Sequence, residues 1–188
     1  MHLRQHFEES AQLAKALLND EAFHLAMAEG ANLLIQTLES GNKIMTCGNG
    51  GSMCDAMHFA EELSGRYREN RKPFAAMSLS DPSALTCIGN DFGFDQVFAR
   101  QVEALGQPGD VLLAISTSGN SGNILEAARV AKDNGMHVLA LTGNDGGKLQ
   151  ELSSVEVRVP WSGYADRIQE VHIRCIHAWI DAVEQALS

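Results

Sequence analysis

Residues 110–121 read Asp-Val-Leu-Leu-Ala-Ile-Ser-Thr-Ser-Gly-Asn-Ser, and apolar residues at helical spacing follow directly, from 121 to 134. A short apolar run, Val111 to Ile115, that ends in small polar residues and then enters a helix has the pattern of a buried strand feeding a βα loop. The pattern recurs outward in both directions. Lys43 to Cys47, Phe74 to Leu79, His137 to Leu141 and Val155 to Val159 are equally short and apolar. Segments of helical character over 52–66, 81–105 (with Gly89 and Gly93 inside it) and 163–187 lie among them. Such alternation predicts an α/β fold, a parallel sheet of five strands covered by helices on both faces as a three-layer αβα sandwich. Ahead of it, residues 3–19 and 21–40 carry Leu, Ala, Phe and Met at helical spacing, with Asn19 and Asp20 as break and N-cap. In a sheet of this kind ligands collect at the C-terminal strand ends, so the chemistry is expected in the loops there.

The chain of 188 residues fits one folding unit over 1–188, with 1–40 as a helical extension, and no internal repeat or linker divides it. With 45% hydrophobic and 20% charged residues it has material for a core, which excludes disorder and fibrous repeats. The formal net charge of −10 has the wrong sign for a nucleic-acid partner, although a helix start binds a small phosphate whatever the overall charge. Cys47, Cys54, Cys87 and Cys175 form no C-x-x-C pair, so neither a zinc ribbon nor a disulfide framework is expected, and reduced thiols fit a cytoplasmic protein. His2, Arg4, Glu8, Glu9 and Lys15 break up any leader-like apolar stretch, and no later segment reaches membrane-spanning length.

Two loops stand out. Cys47-Gly48-Asn49-Gly50-Gly51-Ser52 brings glycines to a helix start, where the backbone can approach a ligand closely. Met53 stands where a dinucleotide fingerprint needs its third glycine, so no nucleotide cofactor is expected. Ser116-Thr117-Ser118-Gly119-Asn120-Ser121 places four hydroxyls around a glycine before the next helix. Capping needs one of them; the excess points to a phosphomonoester held by hydroxyls and helix N–H groups.

On the helix after the first loop, His58 and Glu62 are four residues apart and share a face, as a metal pair or a proton-transfer pair would. Glu61, three residues from His58, competes for the same role. The last helix sets Asp166, Arg167, Gln169, Glu170, His172 and His177 among apolar residues. Gln169 and His177 can converge on one site, whereas His172 and His177 point apart, so one of the two histidines is expected to be structural. The charged run Arg66 to Lys72 reads as a solvated exit loop, with Arg66 able to reach a substrate or a neighbouring chain.

In combination, GNGGS (48–52), HFAEELSGRYREN (58–70), GNDFGF (89–94), DVLLAISTSGNS (110–121), LTGNDGG (141–147) and YADRIQEVHIRCIH (164–177) resemble the bacterial phosphoheptose isomerases of the sugar isomerase (SIS) superfamily. The resemblance implies a flavodoxin-like SIS sheet. It further implies conversion of sedoheptulose 7-phosphate to D-glycero-D-manno-heptose 7-phosphate through an enediol or enediolate, the first step toward nucleotide-activated heptose for lipopolysaccharide core. It assigns substrate contacts to Asn49, Gly50, Gly51, Asn90 and Asp91, and the phosphate to Ser116, Thr117, Ser118 and Ser121. Glu62 falls at the family's carboxylate base and His177 at its histidine acid/base, which decides against Glu61 and His172. Asp166 enters as an orienting partner. His58, Glu62, Gln169 and His177 match the positions that bind zinc in some members, one ion per subunit, and the family's site is assembled in a homotetramer. Met53 replaces a histidine found in some close relatives, at a position outside the acid/base set. Two other readings share the fold: a non-catalytic SIS protein that binds the replication initiator, and another SIS phosphosugar isomerase or lyase. The binders depart from the pattern at the positions of Glu62 and His177, and this chain has both.

Overall fold

The computed structural model describes residues 2–188. Five strands, β1 (Ile44–Gly48), β2 (Ala76–Ser78), β3 (Val111–Ser116), β4 (His137–Gly143) and β5 (Val155–Val159), form one sheet in the order β2-β1-β3-β4-β5. Every neighbouring pair is parallel. The helices are α1 (Leu3–Leu18), α2 (Glu21–Glu39), α3 (Gly51–Ser64), α4 (Pro82–Phe92), α5 (Ala99–Leu105), α6 (Gly122–Asp133) and α7 (Ala165–Leu187).

Alternation along the strands sends side chains to two cores. Ile44, Val111, Leu113, Ile115, Leu139 and Leu141 pack with α1, α2, α3 and α7, around Phe59 and Trp179. Met45, Cys47, Leu112, Ala114, Val138 and Ala140 pack on the other face with α5 and α6, around Phe98 and Ile124. The three layers follow from this period of two in strands buried on both sides. Trp179 donates its indole N–H to the Met27 carbonyl at 2.9 Å and lies on Gly30, where a Cβ would come within 2.8 Å of the ring. That contact seats α2 on α7.

The expected helix over 81–105 is divided. Gly93, at φ +88°, ends α4, a short 3-10 turn spans Phe94–Gln96, and α5 starts at Ala99. Strand β2 shrinks to Ala76–Ser78, an edge strand bonded to β1 alone. No described helix is long and apolar enough to cross a membrane.

From β1 the chain crosses to β2 on one side, while β3 pairs on the other, with Gly48 opposite Ile115. The loops leaving β1 and β3 therefore open side by side at the switch point of the sheet. The opposite end of the strands is organised by the buried carboxylate of Asp110. It accepts from the Lys43 and Gln107 backbone N–H groups at 3.0 and 2.8 Å and from the Asn42 amide at 3.1 Å, and it pairs with the Lys43 ammonium. These bonds hold its pKa below the usual carboxylate range against the opposing effect of burial.

Candidate active site

Gly48 ends β1 so close to the first turn of α3 that a Cβ would lie 2.4 Å from the Ser52 carbonyl oxygen. Gly50 takes φ +55°, and its carbonyl accepts from the Met53 and Cys54 N–H groups at 3.0 and 3.2 Å, which starts the helix. Gly51 abuts the side chain of Gln169 from α7; a Cβ there would sit 2.6 Å from Nε2. Asn49 exchanges two amide hydrogen bonds of 2.8 Å with Asn123, a buried residue of α6. The first loop is thus tied directly to the helix that follows the second.

In that second loop Ser116 is buried at the end of β3, and its Oγ lies 3.1 Å from Oγ of Ser121. Ser121 is the N-cap of α6 by position, yet its hydroxyl makes no capping bond. The Ser118 hydroxyl accepts from the Asn120 N–H at 3.2 Å, and Thr117 is half-buried. Gly119, at φ +62°, packs against the Gly146 carbonyl of the loop after β4. The Ser116 and Ser121 hydroxyls meet at the start of a 12-residue helix whose dipole favours an anion. Asp95, from the 3-10 turn, lies against Gly122 at the same helix start, with Oδ1 2.5 Å from where a Cβ would be.

Helices α3 and α7 run side by side and meet again two turns further on. His58 Nε2 lies 3.0 Å from His177 Nε2, the rings inclined at 73°. Glu62 Oε1 is 3.7 Å from the same His58 nitrogen. A tetrahedral zinc with bonds of about 2.0–2.1 Å has ligand atoms about 3.3 Å apart, so these separations bracket what such an ion requires. Glu61 reaches the other side of the ring, 3.1 Å from His58 Nδ1. It therefore orients the imidazole from behind, while Glu62 shares the face toward His177. Spacing along one helix did not separate these two carboxylates; in the fold they take different nitrogens of His58, and Glu62 takes the one that also faces His177. Tyr67 adds its ring 5.9 Å from that of His177.

Asp55, one turn before His58, has a buried Oδ2 without a hydrogen-bond partner, and burial raises its pKa to about 6 against the lowering effect of His58. The sequence reading passed over Asp55, Tyr67, Asp95 and Asn123. For Asp55 a signal existed, because it is three residues before His58 and seven before Glu62, on the same face. Asp95 and Asn123 act through contacts between distant segments and leave no periodic trace.

Asp166 is not brought to His177 within one chain. Its carboxylate pairs with Arg167 at 3.0 Å, which lowers its pKa, and Arg167 in turn bonds His6 of α1. Eleven helical residues separate Asp166 from His177, about 16 Å along the axis. Asn90 and Asp91 are exposed at the end of α4 and bonded to each other at 2.6 Å, with no hydrogen bond to the other candidates among the described residues. His172 is the structural histidine: it is fully buried and its Nε2–H donates to the Thr142 carbonyl at 2.9 Å. Burial lowers its pKa to about 4, so the ring is neutral at physiological pH.

Comparison with known proteins gives this geometry a family. A family model described as SIS domain matches residues 5–143. The phosphoheptose isomerase of Edwardsiella ictaluri is 55% identical over 186 residues, covering 99% of this chain and 96% of its own. That of Cytophaga hutchinsonii is 57% identical over 180 residues, covering 96% and 94%. Among solved structures, phosphoheptose isomerase GmhA from Neisseria gonorrhoeae superposes with a TM-score of 0.91 at 45% identity, covering 98% of this chain and 97% of that one. A phosphoheptose isomerase from Francisella tularensis gives 0.92 at 41% identity, covering 97% and 96%. Sequence and fold agree over nearly the full length, and the chain belongs to the phosphoheptose isomerases of the SIS-domain family.

Proposed function

We propose that this isomerase converts sedoheptulose 7-phosphate to D-glycero-D-manno-heptose 7-phosphate, with Glu62 and His177 moving the protons. The observation that carries the reading is the meeting of His58, Glu62 and His177 between α3 and α7, two turns beyond the contact of Gln169 with the glycine loop at the start of α3. Aldose–ketose isomerisation moves one proton between adjacent carbons and another between their oxygens, which calls for two carriers on one sugar. Glu62 takes the carbon proton and returns it to the neighbouring carbon. His177 serves the oxygens, and Asn49, Gly50, Gly51 and Gln169 hold the reacting end. Ser116, Thr117, Ser118 and Ser121 receive the phosphate at the start of α6, and Asn90 and Asp91 line the sugar from α4. Glu62 and His177 argue against the initiator-binding alternative, and the isomerase names of the relatives do not favour a lyase.

His58, Glu62, Gln169 and His177 would hold a zinc ion. The donor set of two imidazoles, a carboxylate and an amide suits a borderline ion, and the separations of 3.0 and 3.7 Å around His58 Nε2 are compatible with one. When bound, zinc supplies a Lewis acid that polarises the carbonyl and offsets charge on the enediolate. The assembly proposed is a homotetramer in the cytoplasm, acting in heptose supply for lipopolysaccharide. Exposed Leu3, Phe7, Leu18 and Leu25 on α1 and α2 support self-association, as does an apolar groove of about 440 Å³ edged by Leu17, Phe23, Met27 and Trp179.

The test is an isomerase assay on sedoheptulose 7-phosphate with the intact chain, Glu62→Gln and His177→Gln, beside fructose 6-phosphate and a muramic acid phosphate. Turnover of the heptulose alone, abolished in both folded variants, is expected. Full activity in either variant overturns its role, and preference for another phosphosugar overturns the substrate.

A further inference from the structure

The exit segment after α3 reads as a solvated run of charge, yet Arg71 is almost wholly buried, its side chain 2% exposed against 6% for Glu184 of α7. Its Nε donates to Glu184 Oε1 at 2.9 Å. Its two terminal nitrogens turn back onto α3: Nη2 donates to the Glu62 carbonyl at 2.7 Å and Nη1 to the Leu63 carbonyl at 2.8 Å. Those carbonyls belong to the last turn of α3, where a helix leaves its acceptors without internal partners. The other Glu184 oxygen lies within 3.4 Å of the Arg68 and Glu69 N–H groups and fixes the segment between. Seven residues separate Glu184 from His177, so both project from nearly the same face of α7.

Resting on the assignment of Glu62 as the base, we infer that Arg71 is a positioning residue for the isomerisation: it grips the backbone of Glu62 and, through Glu184, sets that carboxylate against His177. The helices are joined at three levels: Gly51 against Gln169, His58 against His177, and the end of α3 against Glu184. Only the last requires a side chain from outside both helices. A guanidinium suits it because its planar fork serves the two carbonyls and the carboxylate at once, which the compact ammonium of lysine cannot do. Without that grip the final turn of α3 can fray, and the carboxylate it carries moves with it.

The experiment measures kcat for Arg71→Lys in three backgrounds of the full chain: wild type, Glu62→Asp, and Ser121→Ala, which lies at the phosphate end. In wild type, kcat is expected to fall about tenfold or more, as small misplacements of catalytic groups do. In Glu62→Asp, where the carboxylate is already drawn back, the further loss shrinks to under about threefold, and in Ser121→Ala the full loss returns. Loss of folded protein would instead multiply equally through all three, so equal penalties, or none in wild type, overturn the inference. Wild-type kcat in Glu62→Asp itself overturns the base assignment, a separate failure. Should Arg71→Lys not fold, Glu184→Gln, which keeps the carbonyl bonds but weakens their anchor, is read in the same backgrounds and decides by the same pattern.

Discussion

His58 and His177 face each other nitrogen to nitrogen at 3.0 Å, although 119 residues separate them in the chain. Two neutral imidazoles satisfy that contact only if one donates and the other accepts; two charged ones would repel. The pair is therefore held either by one imidazole N–H donating to the other's ring nitrogen or by a cation that both rings ligate. Metal analysis distinguishes these. The purified protein is expected to carry about one zinc per chain, and His58→Ala and His177→Ala to lose most of it, with turnover falling in parallel on chelation. A metal-free wild type with full turnover would contradict the zinc set.

Ser121 separates ligand binding from stability. Because its hydroxyl makes no capping bond, Ser121→Ala forfeits only the hydrogen bond with the buried Ser116 and should cost about 1 kcal/mol. Removing one hydroxyl donor to the phosphate should raise KM about tenfold, the loss expected for a hydrogen bond to a charged group. Urea unfolding and steady-state kinetics on the same preparation read the two effects.

Gly51→Ala tests whether Gln169 must stand at the start of α3. The new methyl would meet the Gln169 amide at 2.6 Å, and a flexible side chain can swing aside. Turnover should drop about tenfold or more, as misplacement of a binding group does, while the thermal midpoint falls by under about 4 °C, equivalent to about 1 kcal/mol. Unimpaired turnover would remove Gln169 from the site.

His172 makes stability depend on pH. Its folded pKa of about 4 lies below the ordinary 6.5, so between those values the unfolded chain binds the extra proton. Stability from this ring is complete above pH 6.5 and is lost as pH falls toward 4, by about 3 kcal/mol in all. Thermal unfolding at pH 7 and pH 5 should show the decline, and His172→Gln, whose amide can still donate to the Thr142 carbonyl, should flatten it. An identical slope in the variant would assign the acid sensitivity elsewhere.

The sheet was legible because its strands are short apolar runs, with β1 and β3 buried along their whole length, or in β5 an alternation of Val with charged residues. The hydroxyl loop and the His58/Glu62 spacing were legible for the same reason: they are local. The division of 81–105 was not, since Gly93 breaks the helix through a positive φ that its neighbours do not announce. Arg71 in its charged run looked like surface, and its burial depends on Glu184, 113 residues away. Asp166 was expected beside a histidine and is paired with Arg167, a competition among nearby charges that spacing alone does not decide.

Asp110, which gathers Asn42, Lys43 and Gln107 at the far rim of the sheet, gives the molecule a division of labour. Damage to that carboxylate would show up as fragility in a protein that still handles its sugar normally while folded. Protein engineers seeking hardier versions should work on that rim, and those seeking altered chemistry on the other; the two searches need hardly interfere.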